Sequence, residues 1–242
     1  MISVIIPTYG RAPKLAAVNS NIHGCTVTEH EVIFVVEADD HDSQEMVRTL
    51  PDARLHVNTH KVGYPGAVNS AFEAGVGEYF FTGVDDLSFH YGWDEKVLVV
   101  MKNGTMVAST NDLVNPQVLA GVQATHIFIS RQYIEERGGS WNEPPGVVFH
   151  EGYGRGPDCE VVTLAIMRDV FAPCLDSIVE HMYFDCGKRQ RDATDDRCLS
   201  RGEGDQQLCY NRTLEYMPAS AQASEEAYIA FCRERLQKRG VL

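Results

Sequence analysis

The chain has 242 residues, 44% of them hydrophobic and 23% charged, with 21 basic against 34 acidic side chains and a formal net charge of −13. That length supports one large or two small domains with a full core. The acidity argues against nucleic acid as a partner, because such binding is driven by neutralising phosphates. No run nears the roughly 20 apolar residues of a membrane-spanning helix. The opening Met1–Pro7 reads as a first core strand rather than a secretory leader, so a cytoplasmic location is expected.

Cys25, Cys159, Cys174, Cys186, Cys198, Cys209 and Cys232 are odd in number and include no Cys-x-x-Cys pair. This argues against a disulfide framework and a zinc ribbon, and reads as free thiols in a reducing compartment. The one basic cluster, Lys188-Arg189-Gln190-Arg191, reads as a solvated patch.

In chain order, Ser3 to Ile6 is a short apolar strand stopped by Pro7, and Lys14 to Ile22 has helical spacing. Glu31 to Val36 is a β-branched and aromatic strand, and Ser43 to Leu50 suits a helix capped by Asp42 or Ser43. Leu55 to Val57 is a third strand. Pro65 to Ala74 is a helix whose proline sits in the first turn, where its missing N–H does no harm. Tyr79 to Val84 is a fourth strand. Apolar strands alternating with helix-length segments predict an α/β fold, with a mostly parallel central sheet flanked by helices. Such sheets bind ligands beyond the C-terminal ends of their strands. Three loops should open there: Pro7-Thr8-Tyr9-Gly10-Arg11, Glu37-Ala38-Asp39-Asp40 and Asp85-Asp86.

The second half is less regular. Thr125 to Ser130 reads as a strand, Arg131 to Arg137 as a helix closed by Gly138-Gly139, and Trp141 to Pro157 as a Gly- and Pro-rich loop. Asp158 to Arg168 reads as a helix with Asp158 at its N-cap, Ser177 to His181 as a short strand, and Ser224 to Arg239 as an amphipathic helix. The polar segment Cys186 to Gly204 suggests a mobile lid or tail.

Asp85-Asp86, directly after an apolar strand, is the most pointed feature. Adjacent carboxylates repel, and a hard cation shared with a phosphate relieves them. A solvated turn before Trp93 is the plainer alternative. Glu37 and Asp39 can accept from a base N–H or from ribose hydroxyls. Tyr9 offers a ring for stacking, and Arg11 a guanidinium for a diphosphate.

Val4-Ile5-Ile6-Pro7-Thr8-Tyr9, Val35-Val36-Glu37-Ala38-Asp39-Asp40, Gly66-Ala67-Val68-Asn69-Ser70-Ala71 and Phe80-Phe81-Thr82-Gly83-Val84-Asp85-Asp86 follow one another in an order and spacing that resembles the donor half of a family 2 glycosyltransferase. The resemblance spans about residues 2–100 and continues to about residue 185. Asn111-Asp112, Thr125-His126, His150-Glu151-Gly152-Tyr153 and Val179-Glu180-His181 are similar to glycosyltransferases predicted in bacteriophages of actinobacteria. For a phage protein the compartment would be the host cytoplasm.

The resemblance implies a single GT-A domain over 1–242. Its nucleotide-sugar half runs to about residue 110, its acceptor half over about 111–185, and a polar segment with a C-terminal helix over about 186–242. It implies a nucleotide-diphosphate sugar as donor and Mn²⁺ or Mg²⁺ as cofactor. Asp85-Asp86 resembles the metal-binding Asp-x-Asp motif, although Leu87 stands where the last Asp would be. Asp86 becomes the main metal ligand, with Asp85 facing the ribose or sugar, and His181 resembles the late histidine that completes such sites. Pro7, Thr8, Tyr9, Arg11, Glu37, Asp39, Lys61, Gly66, Asn69 and Asp85 are implied in donor binding. Inverting members present a base at a helix start, here Asp158 with Glu160 as alternative, and Cys159 interrupts the acidic run. The loop from Trp141 to Gly156, with His150, would form an acceptor wall or lid. The acceptor stays open: a protein side chain, a glycan, a lipid-linked carrier or a modified base.

Two other readings remain from the residues. One is a metal-dependent phosphoesterase, which also clusters Asp and His. The other is a degenerate nucleotide-sugar binder that has lost its base. A dinucleotide-binding oxidoreductase is disfavoured, since Gly152-Tyr153-Gly154-Arg155-Gly156 lacks the Gly-x-Gly-x-x-Gly spacing and lies far from the first strand.

Overall fold

The computed structural model describes residues 1–242. The first half alternates strand and helix as the apolar pattern predicts: β1 (Ile2–Thr8), α1 (Ala12–Cys25), β2 (His30–Glu37), α2 (His41–Thr49), β3 (Ala53–Asn58), α3 (Gly63–Ala74) and β4 (Tyr79–Thr82). Then follow β5 (Leu87–Phe89), α4 (Trp93–Val100), β6 (Val107–Asn111), α5 (Pro116–Leu119), β7 (Ile127–Ser130), α6 (Arg131–Arg137), α7 (Asp158–Met167) and β8 (Phe171–His181). Three helices close the chain: α8 (Ala193–Arg201), α9 (Asp205–Thr213) and α10 (Glu225–Lys238).

One sheet of eight strands runs in the order β3-β2-β1-β4-β7-β6-β8-β5. Pairs β1–β2, β1–β4, β2–β3 and β6–β8 are parallel, whereas β4–β7, β6–β7 and β5–β8 are antiparallel. The expected mostly parallel sheet is therefore parallel only in its first half and mixed beyond β4. Strand order reverses at β1, which lies between β2 and β4, and such a reversal opens a crevice at the strand ends.

Alternation along β1 and β2 sorts their side chains between two cores. Val4, Ile6, Val32, Phe34 and Val36 pack with Leu15, Val47 and Trp93 on the face covered by α1, α2 and α4. Ile5, Ile33 and Val35 pack with Val68, Phe72, Phe149 and Val161 on the face covered by α3, α7 and α10. Trp93 is fully buried and donates its Nε1–H to Thr26 Oγ1 at 3.0 Å.

Several local expectations are corrected. Asp40, not Asp42 or Ser43, caps α2, accepting from the Ser43 N–H. The N-cap of α7 is Pro157, which leaves Asp158 as its first helical residue with its carboxylate free of that role. Residues 186–204 are neither tail nor solvated patch. Asp192 and Asp195 form a capping box that starts α8, and this helix lies over the strand ends.

The long strand β8 does the decisive positioning. Its first residues run parallel to β6 and its last three antiparallel to β5, with His181 opposite Leu87. That register sets His181 beside Asp86, and the Met182 N–H donates to the Asp86 carbonyl at 2.9 Å.

Candidate active site

A cavity of about 500 Å³ opens at the C-terminal ends of β1, β2 and β4. Pro7, Thr8, Tyr9, Arg11, Glu37, Asp85, Asp86, Asp158 and His181 all line it. The three loops expected to share one sheet edge do share it.

At the floor of the cavity, Asp85 accepts from Thr8 Oγ1 at 2.5 Å and from Arg11 Nη1 at 2.6 Å. Burial raises the Asp85 carboxyl above the ordinary range, with Arg11 opposing and Asp86 adding to the rise. Arg11 continues to Asp195 at 2.7 Å and to Asp192 at 3.0 Å. Burial works against its charge, but the carboxylates around it, Asp85 foremost, raise its affinity for the proton.

Asp86 meets two arginines and a histidine. Its Oδ2 accepts from Arg189 Nη2 at 2.5 Å and lies 3.7 Å from Arg11 Nη1, while its Oδ1 stands 3.4 Å from His181 Nε2. Burial alone would raise this carboxyl, but His181 and then Arg189 and Arg11 outweigh it and hold it well below the usual range. Arg189, read from sequence as part of a solvated patch, is half-buried here and held from its other side by Asp195 of α8 at 2.6 Å.

His126 lies behind His181, ring centroids 5.0 Å apart. Its Nδ1 faces the Thr82 carbonyl at 3.2 Å, and its Nε2 has no hydrogen-bond partner. Burial and the neighbouring His181 push it down to about 3, so its imidazole is neutral.

A second wall sits between β2 and α8. The Arg197 guanidinium lies over the Tyr9 ring, 3.6 Å from its centroid, and reaches Glu37 Oε2 at 3.3 Å. Arg201 approaches the other Glu37 oxygen at 3.9 Å. An aromatic ring, a guanidinium plane and a carboxylate at one strand end can stack and hydrogen-bond a flat heterocycle.

Across the cavity, Asp158 opens α7. Burial raises its carboxyl to about 7; its own N–H and Arg155 oppose the rise, and Asp205 and Asp112 add to it. The preceding loop is fixed by Asp205, whose carboxylate accepts from the N–H groups of Gly154, Arg155 and Gly156 at 2.8, 2.8 and 2.9 Å. Gly154 lies so close to the Arg201 carbonyl that a Cβ would overlap it.

Other implied residues are not brought to the cavity. Glu160 is fully buried, its oxygens held by the Trp141 N–H and Tyr153 Oη at 2.6 Å and by Arg212 Nε at 2.7 Å. Every lone-pair direction toward a substrate is taken by protein. Asn69 clamps the backbone of Val148 and Phe149 through three hydrogen bonds. A Cβ on Gly66 would strike Val62, so that glycine serves packing inside α3. Asp39 and Lys61 pair with each other at 2.6 Å on the outer surface, beside Tyr9. Of the loop 141–156, Gly154, Arg155 and Gly156 line the cavity, whereas Trp141 and His150 turn to Glu215 and Glu143.

Sequence reasoning gave no role to Tyr64, Arg155, Tyr183, Asp195, Arg197 or Arg201, all of which line the cavity. None of these arginines lies in the one basic cluster at 188–191, and nothing in their spacing says which way α8 folds.

The fold is thus a mixed α/β sheet with an acidic, arginine-braced cavity at its strand reversal. The pattern of the glycosyl transferase family 2 matches residues 3–156, and the chain belongs to that family and is a glycosyltransferase. Among solved structures it is similar to the mannosyltransferase PcManGT from Pyrobaculum calidifontis in complex with GDP-Man and Mn²⁺, at a TM-score of 0.67 and 18% identity, covering 99% of this chain and 74% of that one. It is also similar to glucosyl-3-phosphoglycerate synthase from Mycobacterium tuberculosis in complex with phosphoglyceric acid, at 0.57 and 14%, covering 84% and 80%. TarS 1-349 from S. aureus in complex with UDP follows at 0.56 and 14%, covering 74% and 59%. A search of curated proteins found no match. Family membership selects the transferase among the readings that the residues left open. No helix is long and apolar enough to cross a membrane.

Proposed function

We propose that the chain transfers a sugar from a nucleoside diphosphate sugar to an acceptor hydroxyl or amine with inversion at the anomeric carbon. One observation carries the reading. Asp86 and His181, 95 positions apart in sequence, stand 3.4 Å apart in the same cavity as a half-buried Asp158 carboxyl raised to about 7. The likeness to complexes that hold GDP-Man and Mn²⁺, or UDP, supports it.

The Asp86 oxygen and the His181 nitrogen are a hard and a borderline donor, a pair that suits Mn²⁺. No group of three or more ligating side chains gathers there, which fits a site completed by substrate oxygens. A divalent cation held there would supply positive charge to the diphosphate as it leaves. The chain's own residues do the rest. The stacked Tyr9–Arg197 pair offers a flat surface on which the base can lie, and Glu37 accepts from its N–H groups. Arg11 and Arg189 are already aimed at oxygens of one anion, and can turn to the diphosphate when it arrives.

Asp158 takes the proton from the acceptor atom as that atom bonds to the anomeric carbon. The bond from that carbon to the diphosphate oxygen breaks, and its electron pair leaves with the diphosphate. A carboxyl raised to about 7 is well matched to this exchange near neutral pH.

The test is a melting-temperature panel of UDP, GDP, TDP and CDP with their common sugars, with and without Mn²⁺. A ligand that binds only the folded chain raises the melting temperature by mass action. A rise for one nucleotide that needs Mn²⁺ and vanishes in Asp86→Ala supports the donor site. The absence of any rise from a folded chain overturns it.

A further inference from the structure

We propose that Cys159 and Cys209 form a reversible disulfide that staples α9 to the first turn of α7. Their sulfurs lie 2.8 Å apart, inside non-bonded contact and within 1 Å of the roughly 2.05 Å of a disulfide bond. No other pair among the seven cysteines meets: Cys174 and Cys232 are buried apart, Cys25 Sγ faces Asn21, and Cys186 and Cys198 are exposed.

The pair sits at the middle of one contact face. Asp205, Cys209 and Arg212 follow at helical spacing along α9. Asp205 holds the N–H groups of Gly154 to Gly156, Cys209 meets Cys159, and Arg212 holds Glu160. With bonds above and below, the two sulfurs are held together before any oxidation, which removes most of the entropy that cross-linking would otherwise cost. The linked segment, 159 to 209, contains His181, Arg189 and all of α8, so the bond closes a loop around the cavity's lid.

The chemistry is thiol–disulfide exchange with a low-molecular-weight disulfide. The Cys209 sulfur attacks one sulfur of that disulfide, and a thiolate leaves. Cys159 then attacks the Cys209 sulfur and displaces the second thiolate. The two protons of the cysteines pass to the two released thiolates, and the two electrons reduce the external disulfide. The hydrogen bond to Cys209 and burial push the Cys159 thiol up, which makes it the second to react.

The test treats the whole chain with mixtures of reduced and oxidised glutathione, quenches with acid, alkylates and maps the peptides. At an oxidising ratio the Cys159 and Cys209 peptides should be recovered linked in most molecules, and dithiothreitol should release them. The oxidised chain should melt several degrees higher, because the cross-link restricts the unfolded state. Cys209→Ser and Cys159→Ser, shown to be folded by circular dichroism, should lose both the link and the rise. Recovery of the two peptides unlinked would overturn the proposal. So would links that join Cys186 or Cys198 as often as this pair. Neither outcome depends on donor, metal or acceptor, so the transferase reading is tested separately.

Discussion

The Arg189 guanidinium donates to Asp86 Oδ2 at 2.5 Å while His181 Nε2 stands 3.4 Å from Oδ1 of the same carboxylate. One carboxylate thus serves an arginine from the lid and a histidine from β8. A cation bound between Asp86 and His181, as proposed, would compete with that arginine. Arg189→Gln should therefore tighten Mn²⁺ binding in the absence of nucleotide, by about tenfold if one charged hydrogen bond of about 1.5 kcal/mol is released. Paramagnetic resonance of free Mn²⁺ measures it. Unchanged or weaker binding would show that the ion pair does not oppose the cation.

Asp158 couples activity to stability. Its carboxyl is raised to about 7 when folded against an ordinary 3.8, so the folded state binds the proton more tightly than the unfolded one. Its contribution to stability is full below about 4 and is lost as pH rises through about 7. With Asp158 as the proposed base, transfer should rise over the upper part of that window. Asp158→Asn should reduce kcat by at least a hundredfold. It should also stabilise the chain at pH 8 by about 1–3 kcal/mol, since each pKa unit is about 1.4 kcal/mol and the site is half-buried. Denaturant melts at pH 5 and pH 8 give the sign directly.

Glu160, the other acid of that helix start, should behave in the opposite way. Its carboxylate is fully buried against Arg212. Arg212→Met leaves that charge uncompensated and should cost about 3 kcal/mol, read as a lower urea midpoint with unchanged slope. The folded fraction should keep its pH–rate profile. A shifted profile would place Glu160 in the proton transfer.

Tyr9 and Arg197 face each other 3.6 Å apart, ring centroid to guanidinium, with Glu37 alongside. Tyr9→Ala should weaken nucleotide binding by about 1–3 kcal/mol, the worth of one stacked base, and should raise KM far more than it lowers kcat. Calorimetry with the nucleoside diphosphate alone checks the binding share. An equal loss in kcat would mean that the ring acts on the reacting sugar.

The first four strands and three helices were legible because each is short, uniformly apolar or clearly periodic, and bounded by its own breaker. Tyr79–Thr82 and His30–Glu37 needed no distant partner to be recognised. Residues 87–124 and 186–223 were not legible. Leu87–Phe89 is a strand only because β8 bends to meet it. Cys186–Gly204 reads from sequence as a mobile lid or tail because its charges find their partners, Asp86, Arg11 and Glu37, more than 100 positions away.

The sequence by itself determined the parallel α/β half, the sheet edge where ligands gather, and the residues Thr8, Arg11, Glu37, Asp85 and Asp86 that arrive there, because β1, β2 and β4 each deliver the residues that follow them. Only the tertiary structure decided which acidic residue near the start of α7 faces the cavity. Asp158 and Glu160 lie two apart on a helix and point to different sides, so one meets the cavity and the other Arg212. It also decided that Asn69 and Gly66 serve packing, and that Arg189 meets Asp86. Those outcomes depend on which surfaces pack together, and local spacing carries no record of them.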